Sequence, residues 1–93
     1  MPDRTDDAID PDGFKPIYVQ VADIFERRIR SGKLRPDRRI PGELAIAAEF
    51  GIARETARRA VAELRERGLV ATWHGRGTFV VAELPPPADA EAE

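Results

Sequence analysis

At Gly68 the spacing of the apolar residues changes. Before it they recur every three or four positions; after it they come in β-branched and aromatic runs. The first spacing makes one face of a helix and the second makes strands, so helices precede Gly68 and extended chain follows it. Ile17, Val21, Ile24, Phe25 and Ile29 form the first helical stripe. Pro16 suits its first turn, where a missing N–H would be unpaired anyway, and Ser31-Gly32 ends it. Residues 33–41 form an extended connector, because Pro36 and Pro41 bar a regular helix. A second, short helix starts after Pro41 with Glu43 at the positive end of its dipole, buries Ile46, Ala47 and Phe50, and stops at Gly51. A third runs from about Arg54 to Arg67 and buries Ala57, Ala60, Val61 and Leu64. Residues 69–73 and 78–81 then read as two strands joined by His74-Gly75-Arg76-Gly77, a β-hairpin. Trp73 is expected to pack against that hairpin.

Two helices joined by a tight glycine turn and followed by a hairpin give an α+β fold. It is a winged helix-turn-helix: three helices, then a two-stranded β-hairpin wing. The helix-turn-helix spans about 43–62 and the wing about 69–81, within a domain of residues 14–83. Residues 1–13 and 84–93 are expected to be disordered tails, since they offer too little apolar surface to offset chain entropy.

Charge follows the same division. The formal net charge is −2, yet residues 14–82 carry fourteen basic side chains against eight acidic ones, while both ends are acidic. A basic body points to a polyanionic partner, and an ordinary charged helical surface is the alternative. With no cysteine and one histidine, disulfides, thiolate metal sites and multi-histidine sites are excluded, and no metal or cofactor is expected. No nucleophile–base or carboxylate pair marks a catalytic site, so an enzyme is not expected. No apolar run is long enough to span a bilayer, and the acidic, polar start is unlike a signal peptide. A cytoplasmic protein without membrane contact is therefore expected.

The second helix of such a pair must offer donors to a DNA groove. At 100° per residue around Ala57, Arg54, Arg58 and Arg65 share one flank of the buried stripe, Thr56 takes the other, and Glu55 and Arg59 lie on the far side. Arg54 and Thr56 fall in the N-terminal turn, and arginine reads guanine through two parallel donors. The alternative is a solvated helix face on which Glu55 pairs with Arg59.

Several stretches, in order, resemble the GntR-type bacterial transcription regulators. They are Pro16-Ile17-Tyr18-x-Gln20-Val21-Ala22, the connector Ser31-Gly32-x-Leu34-x-Pro36-Asp37-x-Arg39-Ile40-Pro41, and Glu43 with residues 47–59. Ala62-Glu63-Leu64, Gly68-Leu69-Val70 and Gly75-Arg76-Gly77-Thr78-Phe79-Val80 complete the set. The resemblance covers about Lys15 to Glu83 and implies a repressor that binds double-stranded DNA sequence-specifically. It implies base or phosphate contacts from Arg54 and Arg58, a phosphate contact from Thr56, and a wing tip of His74 and Gly75 in the minor groove. Arg76 adds a phosphate contact, and Ala53, Glu55 and Arg59 complete the contact set.

Three positions depart from the pattern. Gly42 stands where serine usually caps the second helix, and Ala53 where serine or threonine caps the third. Leu44 replaces an arginine that faces DNA in many members. Glu55 is unusual beside phosphates; it can accept from a cytosine N4 amine or hold Arg58 or Arg59 in place. The family's dimerising effector domain is not expected in a chain that ends eleven residues after Ala82. A monomer or weak dimer that pairs on a short palindromic operator is therefore expected. A winged helix that docks proteins and does not read DNA is the other reading, which Leu44 and the acidic ends would suit.

Overall fold

The computed structural model describes residues 8–87. It contains α1 (Ile17–Arg30), α2 (Glu43–Phe50), α3 (Arg54–Glu66), β1 (Val70–Trp73) and β2 (Gly77–Val80), in that order. The strands pair antiparallel with Val70 opposite Val80, Ala71 opposite Phe79, Thr72 opposite Thr78 and Trp73 opposite Gly77. This is the expected winged helix-turn-helix, with three helices leading into a two-stranded wing.

The stripes read from spacing meet in one core. Val21, Ala22, Phe25 and Ile29 of α1 pack with Ala57, Ala60, Val61 and Leu64 of α3, and Ile46 closes the cluster from α2. Phe25 and Phe50 meet in a tilted pair with ring centroids 6.1 Å apart. Small Ala57 and Ala60 let α3 approach its neighbours closely while Leu64 fills the base of the core.

Two glycines set the directions of the chain. Gly51 takes a left-handed conformation (φ 64°), which β-branched or bulky residues adopt only under strain, and the Ile52 N–H donates back to the Ala47 carbonyl at 3.0 Å. That turn swings α3 across α2. Gly68 (φ 77°) ends α3 in a Schellman motif: its N–H donates to the Arg65 carbonyl and the Leu69 N–H to the Leu64 carbonyl, at 2.9 and 3.0 Å. Leu69 is thereby driven into the core, fully buried, and fixes where the wing begins.

Three features depart from the sequence reading. The connector holds no helix, as its prolines require, but it is not extended throughout: the Arg38 N–H donates to the Arg35 carbonyl at 3.2 Å in a turn over Pro36 and Asp37, and from Asp37 the chain runs beside β2. Asp37 N–H donates to the Val80 carbonyl, Val80 N–H to Arg38 and Ile40 N–H to Thr78, each at 2.9 Å, and Arg39 bridges Phe79. Asp37 itself sits at φ 65°, a region that Asp enters more readily than most residues.

The N-terminal boundary at residue 14 is corrected. Ile9 packs on the core, and Gln20 holds the chain there: its Oε1 accepts from the Asp10 N–H at 2.6 Å and its Nε2 donates to the carbonyls of Asp10 and Lys15. Phe14, the expected first residue of the domain, is instead wholly exposed. At the other end Leu84 packs on the core, so the boundary at 83 is also too early. One apolar side chain at each end suffices to dock a short segment when a preformed surface receives it. The remainder of both expected tails, residues 1–7 and 88–93, lies outside the described residues.

Charge also holds the helices together. Arg67, just past α3, reaches Asp23 and Glu26 of α1 at 2.9 and 2.8 Å and Glu63 at 3.0 Å. Arg30 adds a contact to Glu26 and Lys15 one to Asp23, both at 2.8 Å. Burial pushes the Asp23 and Glu26 carboxyls up, but hydrogen bonds from Lys15 and Arg67 on the first, and from Arg30 and Arg67 on the second, outweigh it and hold both below their ordinary values. Arg28 ties α1 to α2 through Glu49 at 2.7 Å, its guanidinium over the Phe25 and Phe50 rings.

Candidate nucleic-acid interface

The start of α3 is built to project. Ala53 precedes it with extended backbone and no side-chain cap, so the first N–H groups of the helix receive nothing from the Ala53 side chain. Anions are favoured at such an end. Arg54 and Arg58 stand one turn apart there, with side chains 67% and 52% exposed. Among the described residues Arg54 has a single, distant ion pair, 3.7 Å to Glu43. Thr56, on the other flank, is half-buried.

Glu55 resolves one alternative left open by the sequence. It pairs with Arg58 and not with Arg59: Arg58 Nε donates to Oε1 at 3.0 Å and Nη2 to Oε2 at 2.5 Å. The hydrogen bond from Arg58 holds the Glu55 carboxyl below its usual range, and the same bond raises Arg58, which stays charged. Arg59 has gone elsewhere. Its guanidinium lies 4.1 Å over the Tyr18 ring of α1, a cation–π contact that ties the middle of α3 to the first helix.

The wing supplies the second group. His74, Gly75 and Arg76 form the exposed turn between β1 and β2, closed by the Arg76 N–H donating to the Trp73 carbonyl at 2.9 Å. The wing is braced against α3: Arg65 Nη1 donates to the Thr72 hydroxyl at 3.0 Å, and the Thr72 and Thr78 hydroxyls lie 2.8 Å apart. Between the start of α2, α3, the connector and the wing runs an open groove of about 510 Å³, lined among others by Arg39, Glu43, Leu44, Arg54, Gly77 and Thr78. The groove brings Arg54 and the base of the wing to one place.

Sequence reasoning assigned Trp73 differently and missed Arg39. Trp73 does not pack against the hairpin; it is 66% exposed. Alternation put it on the face opposite Thr72, and only the Thr72 face is braced by α3. Arg39 lies over the Phe79 ring, 6.0 Å from its centroid, and lines the groove. A signal existed in its place one residue before Ile40, whose burial required Arg39 to point outward. Leu44 is exposed, as its departure from the pattern suggested. Among the described residues no group of three or more His, Asp or Glu side chains could hold a metal ion, and no helix is long and apolar enough to cross a membrane.

Known proteins share both the sequence and the shape. The family described as bacterial regulatory proteins, gntR family, matches residues 17–80. The mannosyl-D-glycerate transport/metabolism system repressor MngR of Escherichia coli (strain K12) is 39% identical over 71 residues, covering 76% of this chain and 30% of that protein. The HTH-type transcriptional repressor NagR of Bacillus subtilis (strain 168) is 43% identical over 65 residues, covering 70% of this chain and 27% of that protein. The chain thus spans under a third of the length of these two relatives. Among solved structures, AraR(DBD) in complex with operator ORX1 superposes with a TM-score of 0.69 at 38% identity, covering 73% of this chain and 82% of that one. YtrA from Sulfolobus acidocaldarius, a GntR-family transcription factor, gives 0.75 at 29% identity, covering 82% and 80%. The match runs from the first turn of α1 to the last residue of β2, and it takes in the turn, the projecting start of α3 and the wing alike: the chain belongs to the gntR family of bacterial regulatory proteins.

Proposed function

We propose that this chain binds double-stranded DNA sequence-specifically and acts in transcriptional repression, with binding as its whole chemistry. One observation carries the reading: a domain of the same fold, 38% identical over 73% of this chain, has been solved in complex with an operator. The relatives named above as repressors agree with it. Arg54 and Arg58 take base edges or phosphates in the major groove, while Thr56, Ala53, Glu55 and Arg59 flank them. His74 and Gly75 enter the minor groove, and Arg76 meets a phosphate beside them. Two copies meet on a short palindrome and are otherwise monomeric or weakly associated.

Selection of duplexes from a random pool tests this directly. The expected product is an enriched short palindrome bound by two chains, with a monomer or weak dimer seen by analytical ultracentrifugation when DNA is absent. A pool that shows no enriched sequence overturns the reading.

A further inference from the structure

We propose that Glu55 is a specificity-determining positioning residue, which clamps Arg58 so that this arginine reads guanine and does not act as a general phosphate cation. The inference rests on the DNA-binding reading above.

A guanidinium carries five N–H groups in one plane, arranged as two forks. One fork combines Nε with Nη2 along the side of the group; the other combines Nη1 with Nη2 at its end. Glu55 occupies the side fork with both carboxylate oxygens. The end fork has no hydrogen-bond partner among the described residues. Guanine presents O6 and N7 as two adjacent acceptors, which an end fork meets in plane. Clamping one fork therefore fixes the direction of the other.

The clamp also changes what Arg58 contributes at long range. Attraction to the DNA backbone scales with the cations that displace counterions, whatever the sequence. Arg58 paired to Glu55 forms a unit of nearly zero net charge, so it adds little to that attraction while its donors remain available. Nothing in the fold requires the pair. Both side chains are more than half exposed, and among the described residues neither hydrogen-bonds another element. Exposed pairs of this kind contribute little to stability. Arg59, the other arginine within reach of Glu55, is held by Tyr18, which leaves Arg58 as the partner.

The test compares duplexes enriched by selection with random duplex over a range of salt, for the full chain and its variants. Glu55→Gln keeps the side-chain length but loses the charge and the two-oxygen clamp. It is expected to steepen the salt dependence on random duplex by about 0.9 in log K per log salt, as one further phosphate contact would. Random duplex should then bind about 3- to 10-fold more tightly at low salt, and the enriched duplex by less, so discrimination falls. In an Arg58→Ala background Glu55→Gln should leave discrimination unchanged, which separates the clamp from simple loss of a negative charge. Equal tightening on both duplexes, or the same loss of discrimination with and without Arg58, overturns the proposal. A wild-type chain that enriches no sequence overturns the DNA-binding reading and the clamp together; enrichment with discrimination unaffected by Glu55→Gln overturns the clamp alone.

Discussion

The arginines at the two ends of α3 live in different surroundings. Past its C-terminus, Arg67 is 22% exposed in its side chain and meets three carboxylates drawn from α1 and α3. At its N-terminus, Arg54 is 67% exposed and has one carboxylate at 3.7 Å. The first arrangement engages Nε and Nη1 of the guanidinium and locks two helices together. The second leaves the guanidinium facing outward. A surplus of basic residues is therefore not one property of this chain: some of it is internal adhesive, and only the rest is open to a partner.

The widest separation between the two ends should appear in DNA binding. Arg54→Ala is expected to weaken an enriched duplex about 10- to 100-fold, the range for losing a good base or phosphate contact. Titration should show Arg67→Ala changing that affinity little once the folded fraction is accounted for. If Arg67→Ala weakens binding as much as Arg54→Ala, the division between the two ends collapses.

Stability should show the reverse order. Removing Arg67 leaves Asp23, Glu26 and Glu63 half-buried without their shared partner, at a cost of about 1–2 kcal/mol, between the values for exposed and for buried pairs. Urea unfolding should register this as a lower midpoint with an unchanged slope. Arg54→Ala should leave the midpoint where it is.

Acid sharpens the same contrast. Asp23 and Glu26 have folded-state pKa values below their ordinary 3.8 and 4.5. A depressed carboxyl stabilises the fold fully above its unfolded value and loses that contribution as pH falls through the folded one. The urea midpoint should therefore hold above about pH 5 and fall below about pH 4. Asp23→Asn should start lower at neutral pH and converge on the wild type in acid. Parallel curves at all pH values would exclude Asp23 from this role.

The smallest effect concerns the missing cap. Ala53 already has extended backbone at the cap position and lacks only the oxygen. Ala53→Ser should raise stability by about 0.5–1 kcal/mol, read as a higher urea midpoint. No gain would mean that the open N–H groups are already satisfied by solvent.

Much of this was legible in the sequence, for a local reason. Val21, Phe25, Ala57, Val61 and Leu64 declare their burial by spacing alone, and Gly51 and Gly68 declare the turns because few other residues tolerate their backbone. What stayed hidden depends on contacts between distant segments. Glu55 has Arg58 and Arg59 within equal reach along the helix, and only Tyr18, far off in sequence, decides between them. Alternation shows that Ala71 and Trp73 share a face of the wing but not which face is covered. The docking of Ile9 and the bonding of the connector to β2 leave no periodic trace at all.

That last bonding alters how the wing can come into being. A hairpin closed by a short turn would ordinarily form and melt as a local unit. Here β2 is hydrogen-bonded on its second side to residues 37–40, so α2 and α3 lie inside the loop that this lane closes. Closing so long a loop carries an entropic cost that is recovered only when the helices inside it are packed. The wing is thus kinetically bound to the body of the domain. The Ile40 and Val80 amides should exchange their hydrogens for deuterium only in openings that release much of the fold, while amides at the exposed wing tip exchange through fraying. The same element is tied at its root to the frame that aims it and stands exposed at its tip.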